Sequence, residues 1–134
     1  MRLVILSEEF YSKYTGKEIL EKNYRPYYCL EIKVESRTYA IPIRHHIKHP
    51  HCFHTIGEAG IDYTKAVVIT DDSMISNDRA WIDTAEWRIL NKNENTIYAG
   101  FCKYLRLYRK ALRLKDIPKY ERIVSMSALQ YFQI

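Results

Sequence analysis

The run Tyr27-Tyr28-Cys29-Leu30-Glu31-Ile32-Lys33-Val34-Glu35-Ser36-Arg37-Thr38-Tyr39-Ala40-Ile41-Pro42-Ile43 decides the fold. In its first half Tyr28, Leu30, Ile32 and Val34 alternate with Tyr27, Cys29, Glu31, Lys33 and Glu35, the period of two that a half-buried strand requires. Glu35, Ser36 and Arg37 read as a hairpin turn and residues 38–43 as the returning strand. Pro42 has no N–H for a ladder, so it marks an edge, a bulge or the last rung. A hairpin alone is marginal in water, so the rest of the chain must add strands and a cover.

Upstream, residues 1–6 read as a short strand containing the branched Val4 and Ile5, and Ser7 followed by Glu8 and Glu9 reads as a helix N-cap. Phe10 and Tyr14 share one helical face; Gly16 interrupts it, and Ile19 with Leu20 continue the apolar pattern in a second short helix. Asn23, Tyr24, Arg25 and Pro26 form the turn into the hairpin. Downstream, residues 57–60 read as a loop and residues 65–70 as a third strand, apolar enough at Ala66, Val67, Val68 and Ile69 to be central. Asp71, Asp72 and Ser73 close it; after a loop at 76–79, residues 80–83 read as a further strand and Asp83 or Thr84 as the cap of a helix over 85–90.

From Thr96 the period becomes helical. Tyr98, Phe101, Cys102, Leu105, Tyr108 and Leu112 step along one face, and Lys103, Arg106, Lys110 and Arg113 along another. Pro118 ends that region, residues 120–124 read as a strand, and Ser125 or Ser127 caps a short terminal helix with Leu129, Tyr131 and Phe132. Strands, turns and one long late helix in this order make an α+β protein with a largely antiparallel sheet, a single domain over 1–134.

Composition agrees with one packed core: 134 residues, 47% hydrophobic, with 4 Gly and 4 Pro. A formal charge of +5 favours polyanionic partners such as nucleic acid. Cys29, Cys52 and Cys102 are an odd number without C-x-x-C spacing, which implies no disulfide framework and no zinc ribbon and fits a cytoplasmic setting. The apolar run at residues 3–6 is too short for a signal-peptide core and no later run could span a bilayer, so neither secretion nor a membrane is expected.

Every histidine lies in one stretch: His45, His46, His49, His51 and His54, beside Arg44 and Lys48. A metal site is one reading, with His45 and His49 spaced as ligands on one helical turn and His51, Cys52 and His54 completing the shell. Pro50 disrupts such a helix, no H-E-x-x-H pattern is present, and Glu58 and Asp62 stand at no recognisable offset, so no metal and no other cofactor is expected. A second reading is metal-free RNA cleavage. There the ribose 2′-OH attacks its own phosphate, and the site needs a base, an acid and cations around the phosphorane. His45 and His46 directly follow the hairpin strand and are the first candidates for proton transfer, with Arg44 and Lys48 on the phosphate and His49 as a third candidate; His51 and His54 read as surface or packing residues. A third reading is a noncatalytic RNA-binding module, in which the basic helix binds and Tyr104 and Tyr108 stack on bases.

Three runs resemble TenpN-type toxins of type III toxin-antitoxin systems: Arg25-Pro26-Tyr27; Tyr39-Ala40-Ile41-Pro42-Ile43-Arg44-His45-His46-Ile47-Lys48-His49; and Gly60-Ile61-Asp62-Tyr63-Thr64-Lys65-Ala66-Val67-Val68-Ile69. The resemblance spans about a third of the chain and takes in the basic helix more loosely. It implies the wider ToxN and AbiQ group: metal-independent endoribonucleases with a compact, curved antiparallel sheet, leaving 2′,3′-cyclic phosphate ends. Such toxins are held in check by a structured repeat RNA that they process, in assemblies where toxin and RNA alternate, and many act in abortive infection against phage. In ToxN-like sequences the strand ending in Pro is followed by a Thr-Ser pair and a lysine. Here Arg44 and His45 stand where that pair would be and Lys48 lies close to the lysine, so the resemblance moves the expected role from a hydroxyl to His45. Lys65 is similar to a lysine of the group, and Arg25, Tyr27, His49, Lys65, Lys103, Arg106, Lys110 and Arg113 are the residues expected to approach RNA.

Overall fold

The structure, a computed structural model, describes residues 1–14 and 28–134. The expected break at Gly16, the second short helix at Ile19 and Leu20, the turn at 23–26, and Arg25 and Tyr27 all lie outside the described residues.

Residues 28–44 are the centre of the sheet. Strands β2 (Tyr28–Val34) and β3 (Arg37–Arg44) pair antiparallel with Leu30 opposite Ile41 and Ile32 opposite Tyr39. Their alternation sends Leu30, Ile32, Val34, Tyr39 and Ile41 to one face, where they meet the long helix. Strand β1 (Arg2–Ile5) lies along the other side of β2. The helix α1 (Glu8–Lys13) follows at once, with the Ser7 hydroxyl accepting from Phe10 N at 3.2 Å as its cap.

Beyond β3 the sheet takes its shape from two strands that carry no period. Strands β4 (Cys52–His54) and β5 (Gly60–Asp62) form a hairpin, and β5 also pairs with the end of β3. This corrects the expected loop at 57–60, because Gly60 already belongs to β5. Strand β6 (Val67–Ile69) pairs with the start of β3, so one edge of β3 serves β6 at residues 38–40 and β5 at residues 43–44. Pro42 sits between these two partners, where β3 has left β6 and not yet met β5. Among the described residues all pairings are antiparallel and form a six-stranded sheet in the order β1-β2-β3-β5-β4 with β6 beside β3, which makes the protein α+β.

The third expected strand is therefore not central; among the described residues its one strand partner is β3. Its apolar run has another cause: Val68 faces the large core and Val67 a second one on the opposite face, formed with Val4, Leu6, Phe10, Cys29, Ala40 and Met74. Cys29 is buried on that second face rather than presented outward.

Helices α2 (Thr84–Lys92) and α3 (Glu94–Arg113) cover the first face. Asp83 caps α2, accepting from Ala85 N at 2.7 Å, and residues 80–83 are not a strand. The buried stripe of α3 is Ile97, Phe101, Tyr104, Leu105, Tyr108 and Ala111, rotated from the expected one: Tyr98 and Leu112 are exposed, whereas Tyr104 and Tyr108 are core residues that cannot stack on an external base. Residues 120–124 are no strand but part of α4 (Pro118–Met126), because Pro118 occupies the first turn, where its missing N–H costs nothing. Ser127, not Ser125, caps the terminal 3-10 turn and also accepts from Tyr104 Oη at 2.8 Å.

Gly60 is where the backbones come closest. A Cβ there would run into the Phe53 carbonyl oxygen and stand 2.9 Å from His54 Cα, both of them main-chain atoms that cannot yield without opening the β4–β5 ladder. Gly60→Ala is expected to destabilise the fold by roughly 3 kcal/mol, measured by urea denaturation, whereas Gly57→Ala, with open space around it, is strained only by its φ of +57°.

Candidate functional site

The side chain that gathers the expected residues is one the sequence did not single out. Asp62 ends β5, is 2% exposed, and cannot be buried as a carboxylate without donors. Its Oδ1 accepts from Thr64 N at 3.0 Å and Thr64 Oγ1 at 2.6 Å, which caps the 3-10 turn Tyr63–Lys65. The same oxygen faces His49 Nε2 at 3.1 Å, and Oδ2 faces the Arg44 guanidinium at 3.3 Å.

His49 is fixed from both sides. Its Nδ1 accepts the His51 backbone N–H at 3.0 Å, so the proton of the neutral ring is on Nε2 and points at Asp62. The His49 carbonyl accepts from Cys52 Sγ at 3.5 Å. His51 directly precedes β4, and its carbonyl accepts from Tyr63 N at 3.1 Å. Its half-buried ring lies 5.8 Å from the His49 ring and meets Tyr104 of α3 edge-on at 5.8 Å.

Burial sets the electrostatics. It pushes His51 below its ordinary value, with His49 acting in the same direction and Asp62 against. It also pushes the half-buried Lys65 ammonium down; Asp62 opposes this and Arg44 adds to it. Burial raises the Cys52 thiol, with Asp62 adding, and raises the Tyr63 and Tyr104 phenols, so these three stay protonated near neutrality. The cluster therefore combines a guanidinium, an acidified ammonium and an imidazole kept neutral, a set able to take a proton, give one and hold an anion.

The structure brings Arg44, His49 and Lys65 together around Asp62. His45, His46 and Lys48 lie exposed on the segment after β3. His46 has a left-handed φ of +58°, and its Nδ1 is 3.8 Å from Glu58 Oε1 with the side chain 84% exposed. Ile47 is that segment's anchor: its side chain is buried, its N–H donates to Glu58 O at 2.9 Å and its carbonyl accepts from His54 Nε2 at 3.1 Å. Lys103, Arg106, Lys110 and Arg113 are exposed along α3, and Tyr120 of α4 holds Lys110 and Lys119 at 5.5 and 5.0 Å from its ring centroid. Among the described residues no group of three or more His, Cys, Asp or Glu side chains is placed to hold a metal ion. No helix among them is long and apolar enough to cross a membrane.

From the sequence Thr64 is given no role, Asp62 is set aside as an acid at no recognisable offset, and His51 reads as a surface or packing residue. One signal for Asp62 was present, an Asp-x-Thr cap directly after Gly60 and Ile61 and before the apolar residues 66–69. No protein-family model, no curated protein and no solved structure matches this chain.

Asp62→Ala leaves a guanidinium and a turn without their acceptor, and is expected to cost about 3 kcal/mol in urea denaturation, more than Arg44→Ala. A pH effect follows from His51, whose ring binds its proton less readily folded than unfolded. As pH falls below about 6.5 the unfolded chain takes up that proton first, so stability is lost on acidification. The loss between about pH 7 and pH 5.5 is expected to be smaller in His51→Gln, measured as the shift in urea midpoint.

Proposed function

We propose that the chain is a metal-independent endoribonuclease toxin of a type III toxin-antitoxin system, acting in the cytoplasm and cutting RNA by attack of the 2′-OH on the adjacent phosphate. The observation that carries this reading is the Asp62 cluster, where Arg44 and Lys65 supply positive charge beside histidines at the end of a strand. In the step, the O2′–P bond forms as a histidine takes the 2′ proton, and the P–O5′ bond breaks as O5′ receives a proton from Lys65. Arg44, with Lys48 on the neighbouring segment, holds the non-bridging oxygens and offsets the charge of the phosphorane. The product is a 2′,3′-cyclic phosphate and a 5′-OH.

Charge distribution supports an RNA partner. Between residues 103 and 122 lie eight of the 21 Lys and Arg side chains but only two of the 16 Asp and Glu, an excess larger than the +5 of the whole chain. That surface, α3 with α4, suits a phosphate backbone. The antitoxin role of a structured RNA, its processing by the toxin, an alternating toxin–RNA assembly and a part in phage defence rest on the resemblance of the runs through Arg44 and Lys65.

Purified protein incubated with a mixed RNA pool is expected to leave cyclic phosphate ends equally with and without a chelator. Loss of cleavage in chelator would instead make it a metal-dependent hydrolase. Absence of cleavage with salt-sensitive binding intact would make it a binding module. Arg106→Ala is expected to reduce the slope of log affinity against log salt by about one, with cleavage of saturating RNA retained.

A further inference from the structure

The ribonuclease reading requires one histidine to accept the 2′ proton, and the five differ in what their ring nitrogens already do. His49 has neither nitrogen to offer: Nδ1 accepts the His51 amide and Nε2 is committed to Asp62. His54 spends Nε2 on the Ile47 carbonyl, and both its nitrogens lie within 3.8 Å of Cys52 Sγ. His46 is 84% exposed and faces Glu58. His45 is exposed at the start of the same segment. His51 alone is held by packing, between the His49 ring and Tyr104, while its own ring nitrogens meet no hydrogen-bond partner among the described residues.

We infer that His51 is the general base of the proposed RNA cleavage, and that Asp62 and His49 are positioning residues that aim it. The inference rests on the ribonuclease reading. The chain from Asp62 through His49 Nε2 and Nδ1 to the His51 backbone N–H fixes the main chain of the base rather than its ring. The His51 ring stays available to the 2′-OH, and its half-buried setting keeps it unprotonated near neutrality. Among the described residues the groups that face it are His49 on its own segment, Asp62 at the end of β5 and Tyr104 from α3, while Tyr63 reaches only its backbone carbonyl. The Tyr104 phenol stays neutral, and of the other two His49 lowers the proton affinity of the His51 ring while Asp62 raises it.

The test compares wild type, His51→Gln and His49→Gln on a mixed-sequence RNA transcript from about pH 5 to 9. Binding is followed separately with a 2′-O-methylated RNA that cannot be cut, and folding by thermal denaturation. His51→Gln is expected to lower the cleavage rate at least about 100-fold, to bind the methylated RNA within about twofold of wild type, and to lose the acidic limb of the rate profile. His49→Gln is expected to slow cleavage about tenfold yet keep that limb, which a merely structural loss would not separate. Cleavage by folded His51→Gln within about threefold of wild type overturns the inference and leaves the ribonuclease reading standing, as does loss of methylated-RNA binding in step with cleavage. A wild type that cuts no RNA overturns both.

Discussion

A carboxylate 2% exposed accepts from three segments of chain, and the candidate site has the geometry it has because of that requirement. Asp62 collects a guanidinium from the last residue of β3, an imidazole from the segment beyond it and a backbone N–H and hydroxyl from the turn after β5. Only the first of these lies in an element with a sustained period; the segment beyond β3 and the turn after β5 have none that would fix them locally. The energetic asymmetry of buried charge does so instead: a satisfied carboxylate contributes little net stability, but each lost donor exposes it to its full desolvation cost. The arrangement is thus specified by what its alternatives would leave unpaired.

The sheet and α3 supply the rigid frame for that carboxylate. Tyr63, one residue beyond Asp62, lies across α3 and donates its hydroxyl to the Ile97 carbonyl at 3.1 Å. Gly100 lets it do so, since a Cβ there would stand 2.6 Å from the Tyr63 oxygen. Tyr104, one helical turn on, packs against Tyr63 and His51 and donates to Ser127. The aromatic stripe of α3 therefore does more than bury area; two of its contacts fix the depth at which the β5 turn sits, and with it the position of Asp62.

How much of this could be read from the sequence follows from how local each cause is. The β2–β3 hairpin and α3 declare themselves by a period sustained over many residues, and the caps at Ser7, Asp83 and Ser127 by a side chain acting two or three positions away. Strands β4 and β5 are three residues each, too short to show alternation; β5 pairs with the end of β3, and β4 pairs with β5 in turn. The helix α4 was hidden because a proline both ends helices and begins them. Tyr104 looked available for stacking because the six-residue stripe counted on α3 began at Tyr98 and left it out, whereas Ile97 starts the buried one and includes it; Tyr108 belongs to both stripes. Arg44 and His49 were legible as residue types, but their partner Asp62 was not, because nothing in the spacing of 18 and 13 positions marks a contact through space.

The histidine run shows most directly why proximity in sequence is a poor guide to chemistry. Between His45 and His54 the chain passes through a left-handed residue, a buried anchor at Ile47, a proline and the start of a strand, so that successive rings end in different surroundings. Two meet carbonyl or carboxylate acceptors, one faces a surface glutamate, one is exposed, and one is wedged against an aromatic wall. That wall is a residue of α3, whose opposite face carries Lys103, Arg106, Lys110 and Arg113. On the proposed reading, one rigid helix indexes both the cationic ridge that would hold an RNA backbone and the ring that would take its proton. The distance between them is then set by packing rather than by a flexible linker, and the register of any bound strand at the Asp62 cluster becomes a property of the core.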